Sequence, residues 1–130
     1  MKLTARFQVD SAEPATVPGV DHEWASVMVF TKTFLTGLTG NATTLFMSAG
    51  SEAGRRSYVA TEIISGRTDD GREGSFVVQH GGLESDLSTW IGHVVPSTGT
   101  GDFAGWVGSA RIEHDDEGPY FEFDLAADFN

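Results

Sequence analysis

Glu62, Gln79 and His80 are polar residues set inside strand-like runs of Val, Ile and Phe, and together they are equipped to move protons. The runs are Tyr58-Val59-Ala60-Thr61-Glu62-Ile63-Ile64 and Gly74-Ser75-Phe76-Val77-Val78-Gln79-His80. A neutral polar group buried without a partner costs roughly 2–7 kcal/mol, so each of the three needs a hydrogen-bond partner or a ligand. Glu62 is a candidate general acid or base with a raised pKa, or an anion that stabilises positive charge developing on a substrate. His80 suits the same task, since a free imidazole titrates near about 6.5. The structural alternatives are a rim carboxylate paired with Arg72 or Arg67 and a hydrogen-bonded core histidine that sets strand register. Tyr58 shares strand parity with Glu62, and Phe76, Trp90 and Trp24 are further aromatic candidates to line a binding space.

Other signals are weaker. His22, His80, His93 and His114 lack the spacing of a metal site, and none is expected. Asp69-Asp70-Gly71 has only part of a calcium loop and reads as a turn. Gly99-Thr100-Gly101 has no following helix or basic residue and reads as a bend in the chain rather than a phosphate cradle. No serine sits in a motif that would activate a nucleophile.

The elements that must position these groups are strands. Sixteen glycines cluster between short runs rich in Val, Phe, Thr and Ile, and helical periodicity is hard to find. Eight strands are expected at about residues 3–10, 24–36, 42–49, 56–65, 74–81, 87–95, 103–113 and 119–128. Turns are expected at Gly37–Asn41, Gly50–Gly54, Asp69–Gly71, Gly81–Gly82, Gly99–Gly101 and Asp115–Gly118. Ser11–Glu23, which holds Pro14, Pro18 and Gly19, is expected to cross one mouth of the fold rather than form a central strand. Across the Asp70-Gly71 hairpin, a loop of three or four residues would set Gln79 or His80 opposite Glu62. The last strand puts Phe121, Phe123 and Leu125 on one face and Tyr120, Glu122 and Asp124 on the other. Phe76-Val77-Val78 and Ile63-Ile64 are apolar on both faces, which asks for cover outside as well as inside and points to a homo-oligomer or an overlying loop. Eight antiparallel strands form either a two-layer sandwich or a closed barrel, and only the barrel can hold one small ligand inside.

At 130 residues the chain is expected to form a single all-β domain spanning residues 1–130. It has no cysteine, so neither a disulfide framework nor thiolate chemistry is open to it, and a reducing cytoplasm is the expected location. Its amino terminus alternates apolar and polar residues without the apolar core of a signal peptide, and no bilayer-spanning stretch follows. A formal net charge of −11 argues against nucleic acid and anionic membrane surfaces as partners.

One series of residues carries a family resemblance: Tyr58-Val59-x-x-Glu62, then Gly66-x-x-x-x-Gly71-Arg72-x-Gly74-Ser75-Phe76-Val77-Val78-Gln79-His80, then Val94-Val95-Pro96-x-x-Gly99-Thr100-Gly101-Asp102-Phe103-Ala104-Gly105. With Glu13-Pro14 near the start, it resembles the bacterial domain-of-unknown-function family 3224. The resemblance implies a small antiparallel eight-stranded β-barrel like that of plant allene oxide cyclase. Ala12 stands where the pattern has tryptophan and Ser97-Thr98 where it has Gly-Ser, while Trp24, Trp90 and His93 look peculiar to this chain. No catalytic residue of the plant cyclases aligns with it. The implied function is small-molecule handling. The first reading is a cofactor-independent cyclase or isomerase acting on an apolar or polyketide-like metabolite, with Glu62, His80 and Gln79 as its catalytic groups. The alternatives are a ligand-binding barrel without chemistry and an oligomeric scaffold with a packed interior.

Overall fold

The computed structural model describes residues 1–20 and 24–127. His22, the end of the expected crossing segment (residues 21–23) and the expected last strand residue, Asp128, lie outside the described residues. Among the described residues the chain forms β1 (Lys2–Ala15), β2 (Ala25–Thr36), β3 (Leu38–Ala49), β4 (Ser57–Thr68), β5 (Glu73–Leu83), β6 (Asp86–Val94), β7 (Trp106–Asp115) and β8 (Gly118–Ala127), with a short 3-10 turn at Gly101–Phe103. Each strand runs antiparallel to the next, and Lys2–Arg6 of β1 pairs with Tyr120–Asp124 of β8 to close the sheet on itself. The result is a barrel, not a sandwich. Closure satisfies the two outer strands against each other and removes the free edges an open sheet would leave.

Alternation explains which side chains fill it. In β8, Phe121, Phe123 and Leu125 are buried inside while Glu122 and Asp124 face water, as the pleat requires. Phe34, Leu38, Ile64, Phe76 and Phe103 join them in one continuous core. That core fills one end of the barrel. Phe76 is its hub, meeting Phe103, Trp106 and Phe123 at ring-centroid distances of 5.7, 5.4 and 5.7 Å. Each such ring buries roughly 150–250 Å², so this end carries much of the apolar stabilisation.

Several boundaries differ from the sequence expectation. β1 continues through Ser11–Ala15, with Pro14 in register with Met28. Its pairing with β8 ends at Arg6, so this stretch is bonded on one side only, a position that tolerates proline. β3 begins at Leu38, so the β2–β3 turn shrinks to the region of Gly37. Gly37 has φ +77°, and a Cβ there would lie 1.8 Å from the Thr4 carbonyl oxygen. Gly81 and Gly82 are not a turn: they lie within β5, where the register with β6 shifts between Gly81 and Leu83. Phe103 belongs to the 3-10 turn, and β7 starts three residues later, at Trp106.

Candidate functional site

The inner faces of four consecutive strands supply one polar chain. Register places Thr44 of β3 directly across from Glu62 of β4, and Lys32 of β2 and His80 of β5 one diagonal step away on either side. Three of the long polar side chains face a small residue on a neighbouring strand. Lys32 stands across from Ala42, His80 from Ala60, and Tyr58 from Gly82. Those small neighbours leave the room in which side chains reach one another diagonally.

Glu62 is fully buried, and both of its carboxylate oxygens are engaged. Oε1 accepts the Lys32 ammonium at 2.6 Å and the Thr44 hydroxyl at 2.5 Å. Oε2 meets His80 Nε2 at 2.7 Å, and His80 Nδ1 lies 2.9 Å from the Tyr58 hydroxyl. The Lys32 ammonium also rests 4.4 Å from the centroid of the Phe7 ring and 5.7 Å from that of Phe121. No buried polar side-chain atom among the described residues lacks a partner.

Burial alone would raise the Glu62 pKa, but the His80 hydrogen bond and the Lys32 charge outweigh it and hold the carboxyl at about 2. It is therefore an anion at neutral pH, the reverse of the raised value expected for a general acid. Burial, reinforced by the nearby Glu62 charge, pushes the Tyr58 phenol up to about 12. The ionised Glu62 carboxylate can only accept, so His80 Nε2 carries a proton and donates it to Oε2, while Nδ1 shares the second hydrogen bond with the Tyr58 hydroxyl.

Above this chain the barrel is hollow. A cavity of about 460 Å³ opens at the end opposite the aromatic core. Phe7, Phe30, Phe46 and Ile112 form apolar walls, Lys32, Thr44, Tyr58 and His80 reach its floor, and Trp90 and Arg56 stand near the mouth. Glu62 lies beneath the floor and does not line it. A larger and more polar depression of about 570 Å³ opens beside it, between β6 and β7, and shares Tyr58, His80, Trp90 and Ile112 with the first. It exists because those strands pair only at His93 with Ser109 and Val94 with Gly108. We take the first cavity as the candidate site, because it alone reaches Lys32 and Thr44.

The sequence candidates divide accordingly. Glu62, His80 and Tyr58 come together, and Trp90 packs edge-on to Tyr58 at 5.9 Å while its indole N–H donates to the Leu83 carbonyl at 2.6 Å. Gln79 does not join them. Val78, not Gln79 or His80, stands opposite Glu62, so the pleat turns His80 inward and Gln79 outward, where its amide reaches Thr61 Oγ1 at 3.2 Å. The hairpin explains the difference: Thr68 N–H bonds to the Arg72 carbonyl at 2.8 Å, closing a tight Asp69–Gly71 loop that sets the sum of paired positions. Phe76 is a core residue of the filled end rather than a cavity wall. Trp24 sits outside the barrel near Val20 and Met47, and His93 is on the outer surface. Arg72 pairs with Asp70 at 3.1 Å instead of with Glu62.

Lys32 and Thr44 were missed from sequence. The signal existed: Phe30-Thr31-Lys32-Thr33-Phe34 alternates, and Lys32 shares its face with two phenylalanines, where a lysine needs a counter-charge. Among the described residues no cluster of His, Asp and Glu could hold a metal ion, and no helix is long and apolar enough to cross a membrane.

No curated protein matches the chain. Among solved structures it is similar to a protein of unknown function from the DUF3224 family of Shewanella oneidensis MR-1, at 27% identity and a TM-score of 0.84, over 100% of this chain and 98% of that one. The model of the family described as "Protein of unknown function (DUF3224)" matches residues 3–126, a span that holds the whole polar chain and all of the cavity walls, and the protein therefore belongs to that family.

Proposed function

We propose that this barrel handles a small, largely apolar molecule in its open-end cavity, and that the Tyr58–His80–Glu62 chain serves cofactor-independent proton transfer, as in an isomerase or cyclase. One observation carries the reading: a cavity of about 460 Å³ stands over a buried ionic chain where the barrel's other end is filled with rings. A space of this size suits a small ligand, and aromatic walls with a few convergent polar groups are what such sites use.

The order of donors suggests a direction. A ligand hydroxyl or enol beside Tyr58 would give its proton to the phenol oxygen while Tyr58 passes its own to His80 Nδ1. The proton then resides on an imidazolium, stabilised 2.7 Å away by the Glu62 carboxylate. Reversing the path returns it to a different ligand atom, which is an isomerisation with no net change in protons. Lys32 and Thr44 hold Glu62 ionised and in place.

A second reading is supported by the same carboxylate. Glu62 is fully buried and already holds three donors, which suits a structural pillar under a binding cavity that does no chemistry. A screen of apolar hydroxy and keto compounds, read by tryptophan fluorescence and then by product formation, separates the two. The enzyme reading expects turnover that Tyr58→Phe and Glu62→Gln both lower at least tenfold. Saturable binding without product, weakened by Trp90→Ala but not by Tyr58→Phe, would leave the carrier. If no compound in such a screen binds, small-molecule handling itself is lost.

A further inference from the structure

Gln79, which the cavity does not use, lies at the middle of a different surface. The outward positions of β3 to β6 form a face whose register runs Leu45, Thr61, Gln79, His93 across the four strands. On either side of that row stand Met47, Val59, Ile63 and Ile91, which with Leu45 are between 42 and 64% exposed. The outward positions of residues 43–47, 59–65, 75–81 and 91–93 hold no Asp, Glu, Lys or Arg. The opposite wall, made by β7, β8 and β1, is the reverse: Arg111 pairs there with Glu113 at 3.2 Å, Lys2 with Asp124 at 3.3 Å and Arg6 with Asp115 at 2.8 Å.

We propose that the outer face of β3–β6 docks a second copy of this chain, with Gln79 beside the two-fold axis. Charge selects that occupant. At a net charge of −11 two copies repel through most of their surfaces, and an uncharged face is the one on which they can meet without that repulsion. A basic partner would find no carboxylate here to pair with. Size is consistent with a modest contact: five, seven, seven and three residues on four strands, at about 3.3 Å per residue and about 4.8 Å between strands, cover on the order of 350 Å² of sheet plane. Corrugated side chains add to this, giving a contact smaller than the roughly 800 Å² per partner of a standard interface. Shape agrees too. A dent of about 240 Å³ is ringed by Met47, Val59, Thr61, Gln79 and Ile91, and Ile63, the next outward residue of β4 after Thr61, is 56% exposed, so the same face offers both a hole and a knob. An isologous contact needs that self-complementarity, and an amide near the axis can donate to and accept from its own copy. This proposal is independent of what the cavity does.

Sedimentation of the whole chain over a concentration series tests it. Wild type is expected at twice the chain mass, and Ile63→Glu and Val59→Arg each at the mass of a single chain, both with unchanged circular-dichroism melts because the substituted positions are exposed. Arg111→Glu, on the charged wall, is expected to leave the doubled mass intact. Since the chain has no cysteine, Gln79→Cys should cross-link to a covalent dimer under mild oxidation. A single-chain mass at every concentration, a doubled mass that both face variants preserve, or loss of assembly in Arg111→Glu alone would each overturn the proposal, as would a dimer whose Gln79→Cys chains never cross-link.

Discussion

The two ends of one barrel interior are built on opposite principles. At one end Phe76, Phe103, Trp106 and Phe123 pack ring against ring and leave no room. At the other, rings line a wall and stop, and the floor is an ionic chain from Lys32 through Glu62 and His80 to Tyr58. Both ends use the same alternation of inward side chains. What differs is the inward set itself: rings packed on one another and on Leu38 and Ile64 at the filled end, and long polar side chains with Lys32 across from Ala42, His80 from Ala60 and Tyr58 from Gly82 at the open one. The filled end supplies stability without chemistry. A buried ion pair is weak evidence of stability, since hydrophobic replacement of both partners is often neutral, so the open end is where the fold departs from what packing alone would choose.

The largest way to sharpen the comparison is to hollow the filled end. Phe76→Ala should lower unfolding free energy by about 4–5 kcal/mol, measured by denaturant titration, because Phe76 is 1% exposed and its neighbours cannot close over the space. A loss under about 2 kcal/mol would mean that this end is not the stabilising one. Next is Lys32→Met, which strands the Glu62 carboxylate and should cost about 3–4 kcal/mol, while Lys32→Met with Glu62→Gln recovers most of it. Simple additivity of the two single changes would break the picture of one coupled chain.

The third is pH. Glu62 sits at about 2 in the fold, below its ordinary value, so it contributes stability above the unfolded pKa that is lost as pH falls from about 4.5 toward 2. The size is on the order of 3 kcal/mol. Acid titration followed by circular dichroism should show this slope in wild type and not in Glu62→Gln. Smaller again, Tyr58→Phe should cost about 1 kcal/mol, the worth of one buried hydrogen bond. In wild type, absorbance near the phenolate band should show one tyrosine ionising near pH 12. Smallest in stability is Trp90→Ala, at under about 1 kcal/mol since the ring is only half-buried at the mouth, yet it should be the change that most weakens ligand uptake.

How much of this was legible follows from which rules are local. The β8 pattern was readable because alternation is a two-residue rule, and the sequence also set Glu62 among apolar residues, but it left open whether that carboxylate is buried or at the rim. The hairpin at Asp69–Gly71 was readable too, but not its register, and one step of register decides whether His80 or Gln79 looks inward. Phe76 illustrates the other gap: Phe76-Val77-Val78 is apolar on both faces, so no local pattern said which of the three points inward or at which end of the barrel it lies. Trp24 was a candidate to line the site and His93 stood out as peculiar to this chain, and the fold leaves both outside.

By itself the sequence determined an all-β chain, where most of its strands run, and that Glu62 and a histidine or glutamine would need partners, because side-chain alternation and turn residues act over a few positions. Only the tertiary structure decided that the sheet closes, that Lys32 from a strand thirty residues away neutralises Glu62, and that one end of the barrel stays hollow. Those outcomes depend on register summed over four strands and on the small residues facing Lys32, His80 and Tyr58, which no local pattern contains.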